Sequence, residues 1–147
     1  MALVEVIAAL GIAVVVLTAM VSLTLFTVRS SLNSKLLLQG TKTATREAEL
    51  VRSYRDSSAT WDVFLAAMQN CHSATCCMNQ GTGLPISGVC TEGMGAEIVT
   101  RSFTASNSSG GALVTSDNIV KIDITASWVV GGGTKNTHLY TNLSNWR

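Results

Sequence analysis

Four cysteines, Cys71, Cys76, Cys77 and Cys90, fall within a stretch of 20 residues that also holds His72. Thiols this close offer two chemistries, covalent pairing or metal ligation. Structural zinc sites use paired Cys-x2-Cys knuckles, which this stretch lacks, and side chains at adjacent positions such as Cys76 and Cys77 point apart. No metal is expected. An even cysteine count in a small, loop-rich, exported domain reads instead as two disulfides. A Cys76–Cys77 bond needs a strained eight-membered ring and is set aside. Two pairings remain: Cys71–Cys76 with Cys77–Cys90, or Cys71–Cys77 with Cys76–Cys90. The first is only slightly preferred. Either staples a loop with too few apolar residues to order itself, a contribution of about 2–4 kcal/mol per bond.

The remaining reactive side chains do not assemble into a catalytic pattern. His72 and His138 are the only histidines. There is no Gly-x-Ser-x-Gly, no glycine-rich phosphate loop followed by Lys, and no His-Glu-x-x-His. Asp117 and Asp123 are expected at a turn and in a strand, where solvated carboxylates are ordinary. Residues 104–109 read as a serine-rich surface loop. Asn107-Ser108-Ser109 and Asn142-Leu143-Ser144 match glycan sequons, a cheap match in a chain rich in Ser and Asn. The reading is a non-enzyme without cofactor. The formal net charge of +1 gives no field suited to nucleic acid, and no nucleic-acid motif is seen.

Glu5 is the exception to an otherwise inert N-terminus. It is the only ionisable side chain from Ala2 to Val28, and Val6 to Val28 is a run of 23 residues without Pro. A helix of that run is roughly 35 Å long, enough for a hydrocarbon core of about 30 Å. A carboxylate in such a helix costs about 2.5–3.5 kcal/mol to insert and ordinarily has a partner. The nearest base in sequence, Arg29, is several helical turns away. An α-amino group at Met1 lies at the right depth. It is poorly aimed at Glu5 on its own helix, but within reach of Glu5 on a parallel neighbour.

These residues carry a resemblance. Met1-Ala2-Leu3-Val4-Glu5-Val6-Ile7-Ala8-Ala9-Leu10, followed by an unbroken apolar helix, resembles the mature N-terminus of type IV pilins and type II secretion pseudopilins over about 28 residues. The resemblance implies cleavage before Met1 by a prepilin peptidase, methylation of the new amine, and assembly by the pilus machinery into a helical filament of identical subunits. It implies that Glu5 neutralises the N-terminus of a neighbouring subunit, with Met1, Leu3, Val4 and Leu10 in the assembly surface. Met1 stands where the family more often has Phe, and Ser22 where it often has Pro. Without that Pro, Gly11 and the Thr18, Ser22 and Thr24 group are the weaker places for the stem to loosen.

These residues need elements to position them. Residues 1–28 read as a transmembrane or filament-core helix and 29–56 as its outer half, with Leu32, Leu36, Leu50 and Tyr54 on one face and Gly40 as a weak point or bend. Residues 57–147 read as a globular head. A second helix, Trp61–Asn70, capped by Thr60 or Ser58, shares Trp61, Phe64, Leu65 and Met68 on one face. Residues 71–95 read as a loop, stapled over 71–90. Strands are expected at Ala96–Ser106, Ala112–Thr115, Asn118–Val130 and Thr134–Leu143, the last two joined at Gly131-Gly132-Gly133. They form an antiparallel meander of three or four strands over 96–143. The expected fold is α+β, a long N-terminal helix packed against a small antiparallel sheet. Trp128 is placed in the core, and Trp146 on a sheet edge or a neighbouring subunit.

Charge divides along the chain. Residues 29–55 hold six bases and two acids, a net of +4, and 56–147 hold four bases and six acids, a net of −2. The opposite signs favour packing the stem of one subunit beside the heads of others. The bases at Arg29, Lys35 and Lys42 alone would keep this flank in the cytoplasm. The cysteines argue for the outside and are given more weight. The expected protein is therefore a pilus subunit serving adhesion, twitching motility or DNA uptake, in the membrane first and then in a surface filament. The alternatives are a minor pilin or secretion pseudopilin, and a membrane-anchored extracellular binding module.

Overall fold

A computed structural model describes residues 2–94 and 97–145. The helix α1 runs unbroken over Ala2–Ser57, and α2 over Trp61–Gln69. Six strands follow: β1 Cys76–Met78, β2 Pro85–Ser87, β3 Cys90–Met94, β4 Glu97–Asn107, β5 Ile119–Val130 and β6 Gly133–Ser144. The protein is α+β, with one antiparallel sheet in the order β2-β1-β4-β5-β6 and β3 paired to β4. By contacts the chain divides into two units, Met1–Leu36 and Leu37–Arg147.

In the first unit, every described side chain from residue 3 to 35 is exposed. The hydroxyls of Thr18, Thr24 and Thr27 donate back to the carbonyls of Val14, Met20 and Leu23, four residues earlier. Polar groups that are satisfied within their own helix can enter an apolar medium at little cost.

In the second unit the outer turns of α1 lie against the sheet. The buried positions are Gly40, Thr43, Ala44, Glu47, Ala48 and Val51. Of the expected face, Leu36 is buried, but Leu32 is exposed and Leu50 and Tyr54 are only part-buried, so the buried stripe is turned from the expected one beyond Leu36. The helix contributes small residues because the sheet supplies the bulk. Gly40 is not a bend. A Cβ built on it would sit 2.3 Å from Cζ3 of Trp128, so the indole occupies the place of the missing side chain.

The sheet follows period-two patterning where its strands are long. On β5, Val120, Ile122, Ile124, Ala126 and Trp128 are buried, and their neighbours face out. Gly131 and Gly132 join β5 to β6 with φ of 58° and 80°. Positive φ at both central positions is what a two-residue type I′ hairpin requires, and glycine supplies it without steric cost. α2 is capped by the Thr60 hydroxyl, which accepts from the Val63 N–H at 3.4 Å, and it buries Phe64, Leu65 and Met68.

Further expectations fail here. Residues 71–95 are not a plain loop, since β1, β2 and β3 all begin within them, and the sheet has six strands rather than three or four. Ala112–Thr115 is not a strand. The Asp117 carboxylate accepts from the Val114 N–H at 2.8 Å and holds that segment in a turn instead. Met1, Ala96 and Trp146, which carried expectations, lie outside the described residues.

Candidate functional site

Glu5 sits in the first turn of α1, where a carboxylate complements the partial positive charge of a helix N-terminus. Around it Leu3, Val4, Val6, Ile7 and Leu10 are all exposed. Beyond them Val14, Leu17, Val21 and Leu25 continue the same uncovered apolar surface. By length and composition α1 is able to cross a membrane, and its most apolar window has a mean hydropathy of 2.7 with none of it buried. Soluble monomers rarely leave a contiguous apolar surface of this extent uncovered. The structure thus places Leu3, Val4, Glu5 and Leu10 together on one exposed helical segment.

The cysteines pair as Cys71–Cys76 and Cys77–Cys90, with Cα separations of 5.4 and 5.7 Å. The adjacent Cys76 and Cys77 lie on β1 and send their bonds to different partners. One ties β1 to the end of α2, and the other ties it to the start of β3. Among the described residues no cluster of His, Cys, Asp or Glu is arranged to hold a metal ion.

A buried ion pair joins this stapled region to the helix, and it was not anticipated from the sequence. Glu47 of α1 is 0% exposed and Arg101 of β4 is 4% exposed. The Arg101 Nη1 donates to Glu47 Oε2, and Nη2 donates to the Met78 carbonyl at 3.0 Å. The other Glu47 oxygen accepts from the Met78 N–H at 2.5 Å. Both backbone groups of Met78 are therefore held by the pair, which fixes β1 against α1. Burial, with Arg46 nearby, lowers the pKa of the Arg101 guanidinium. A guanidinium nevertheless stays charged in proteins. The inward facing of each residue had a signal in the sequence, but their pairing did not. Arg101 alternates in step with Val99, Phe103 and Ala105, all inward, and Glu47 lies at helical spacing from Gly40, Ala44 and Val51.

Nearer the surface, Arg46 pairs with Glu92 at 2.6 Å, Arg52 with Glu49 at 2.6 Å, and Arg55 with Asp56 at 2.8 Å. Half of the bases that make residues 29–55 positive are thus engaged within the chain. Arg29, Lys35 and Lys42 are exposed. The two histidines are apart in role. The His72 Nδ1 lies 3.3 Å from the Ala105 carbonyl, and His138 lies 3.5 Å from Asp123 on the outer face of the sheet. Of the sequon asparagines, Asn107 is committed to its own turn. Its side-chain oxygen accepts from Ser109 and Gly111, and its nitrogen donates to the Ala112 carbonyl.

Searches of protein-family models, curated proteins and solved structures found no match to this chain.

Proposed function

We propose that this chain is the structural subunit of a type IV pilus-like surface filament, polymerising through its N-terminal helix. The observation that carries the reading is Glu5, a lone acid in the first turn of an apolar helix whose side chains from residue 3 to 35 have no cover within the chain. Its support is the resemblance of residues 1–28 to pilin N-termini. Before assembly the helix lies in a membrane. In the filament, parallel copies bury Leu3, Val4, Val6, Ile7 and Leu10 against one another, and Glu5 sets the register by meeting the Met1 amine of a neighbour. A buried charge without its partner makes misregistered docking costly, so the pair acts through specificity. The head, tied by two disulfides and the Glu47–Arg101 pair, presents the outer surface.

The reading is tested with Glu5→Ala and Glu5→Gln in cells. Filaments recovered by shearing are expected to fall by more than about tenfold, because breaking a buried pair costs about 3–5 kcal/mol. The variant chains are expected in the membrane fraction with both disulfides formed. Filaments at normal yield from either variant would refute the pairing. A folded chain found only in trace amounts in wild-type filaments would place it as a minor pilin or pseudopilin.

A further inference from the structure

The outward side chains of β4, β5 and β6 form a grid fixed by strand register. Ser102, Thr125 and His138 make one row, Thr104, Asp123 and Tyr140 the next, and Ser106, Lys121 and Asn142 the third. The lower two rows line a concavity of about 480 Å³, which His72 and Gly110 also border. Its size falls within the range of small-ligand sites.

Three features of this pocket point to a ligand. Tyr140 is 72% exposed, and its ring stacks with His138 at a centroid distance of 6.3 Å and an interplanar angle of 12°. Tyr140 thus offers an exposed aromatic plate at the edge of the concavity, beside the near-parallel ring of His138, which lies outside its lining. The plate is flanked by the Asp123 carboxylate, whose Oδ1 lies 3.5 Å from His138, the Lys121 ammonium, which gives one of its three donors to the Ser108 carbonyl, the Asn142 amide, and the hydroxyls of Thr104 and Ser106. Lys121 and Asp123 contribute one charge of each sign, which favours a ligand with no net charge. The His72 Nδ1 is taken up by the Ala105 carbonyl, so Nε2 is left as the ring's second hydrogen-bonding atom.

We infer that this pocket binds a neutral pyranose of a surface glycan, stacking the apolar face of the sugar ring on Tyr140 and hydrogen-bonding its hydroxyls to Asp123, Asn142 and Lys121. An apolar face with polar hydroxyls around its edge matches an aromatic plate ringed by donors and acceptors. The site does not depend on polymerisation, since a membrane-anchored monomer would carry it equally.

The test uses the full chain in phosphocholine micelles, a detergent without a sugar headgroup to compete. Methyl glycosides of galactose, glucose, mannose and N-acetylglucosamine are titrated in and followed by NMR, with N-acetylneuraminic acid as the charged comparison. At least one neutral glycoside is expected to shift the resonances of residues 104–106, 121–123 and 140–142. Tyr140→Ala is expected to weaken that binding by about tenfold or more, and Tyr140→Phe to keep it within about threefold, since stacking needs the ring and not its hydroxyl. The inference is overturned if none of the four binds at these residues or only the charged sugar does. It is also overturned if Tyr140→Ala leaves the affinity unchanged.

Discussion

At the scale of single residues, the Glu47–Arg101 pair decides how the head is held. Both members are out of water, and each also satisfies a backbone group of Met78. Removing Arg101 strands Glu47, and removing Glu47 leaves Arg101 only the Glu92 carboxylate, 3.9 Å from its Nε. Arg101→Met is therefore expected to destabilise the head by about 3–5 kcal/mol, and Glu47→Leu by a similar amount. The double variant should lose less than the two single losses combined, by at least about 1 kcal/mol, because neither charge is then left unpaired. Urea unfolding of the four chains, followed by circular dichroism, measures this cycle. Strictly additive losses would show that the two charges do not act as a pair. Alternation along β4 is enough to turn Arg101 inward, in step with Val99 and Phe103. Its partner was not legible, because an acid on a helix surface carries no mark of which strand it will meet.

At the scale of elements, the helix and sheet meet through a close approach. The Trp128 indole lies where a Gly40 side chain would be. Alanine is the better helix former by about 1 kcal/mol. Gly40→Ala should nonetheless lower stability by about 1–2 kcal/mol, because overpacking a filled site costs more than propensity returns. Thermal melting of Gly40→Ala, alone and with Trp128→Val, separates the effects. The second change should remove the penalty of the first. A higher melting temperature for Gly40→Ala alone would mean that the indole is free to move aside. This contact explains why the buried stripe of the helix was misread. Leu36 is buried as expected, but beyond it Leu50 is only part-buried, and the helix instead needs Gly40, Ala44 and Ala48 because the bulk comes from the strand. Strand β5 was legible from alternation along nearly its whole length, and β6 from the diglycine turn that returns the chain beside it and the alternation of its second half. Strands β1 and β2 were not, since three residues show no period, β2 pairs with β1, and β1 meets β4 at Cys76 opposite Phe103.

At the scale of the whole molecule, the two units differ in what they need from outside. The second has a buried core, two disulfides and an internal ion pair. In the first, the described side chains from residue 3 to 35, apolar through most of their length, have nothing over them within the chain. Lipid and parallel copies of the same helix are the covers consistent with an unbroken apolar span and one acid near its start. The proposed filament uses both in turn. The apolar span and Glu5 were legible from residue types alone, because neither depends on tertiary contacts. In the proposed filament their partners lie in other molecules, which the residue types of one chain do not specify.

The most direct measurement is the mass of the protein in material sheared from cells, intact and as its N-terminal peptide, with and without reduction. The account predicts the chain in the sheared filaments, beginning at a methylated Met1, with four hydrogens missing until reduction opens Cys71–Cys76 and Cys77–Cys90. A chain confined to the membrane fraction, with an unmethylated start, would contradict the filament account and leave a membrane-anchored binding module in its place.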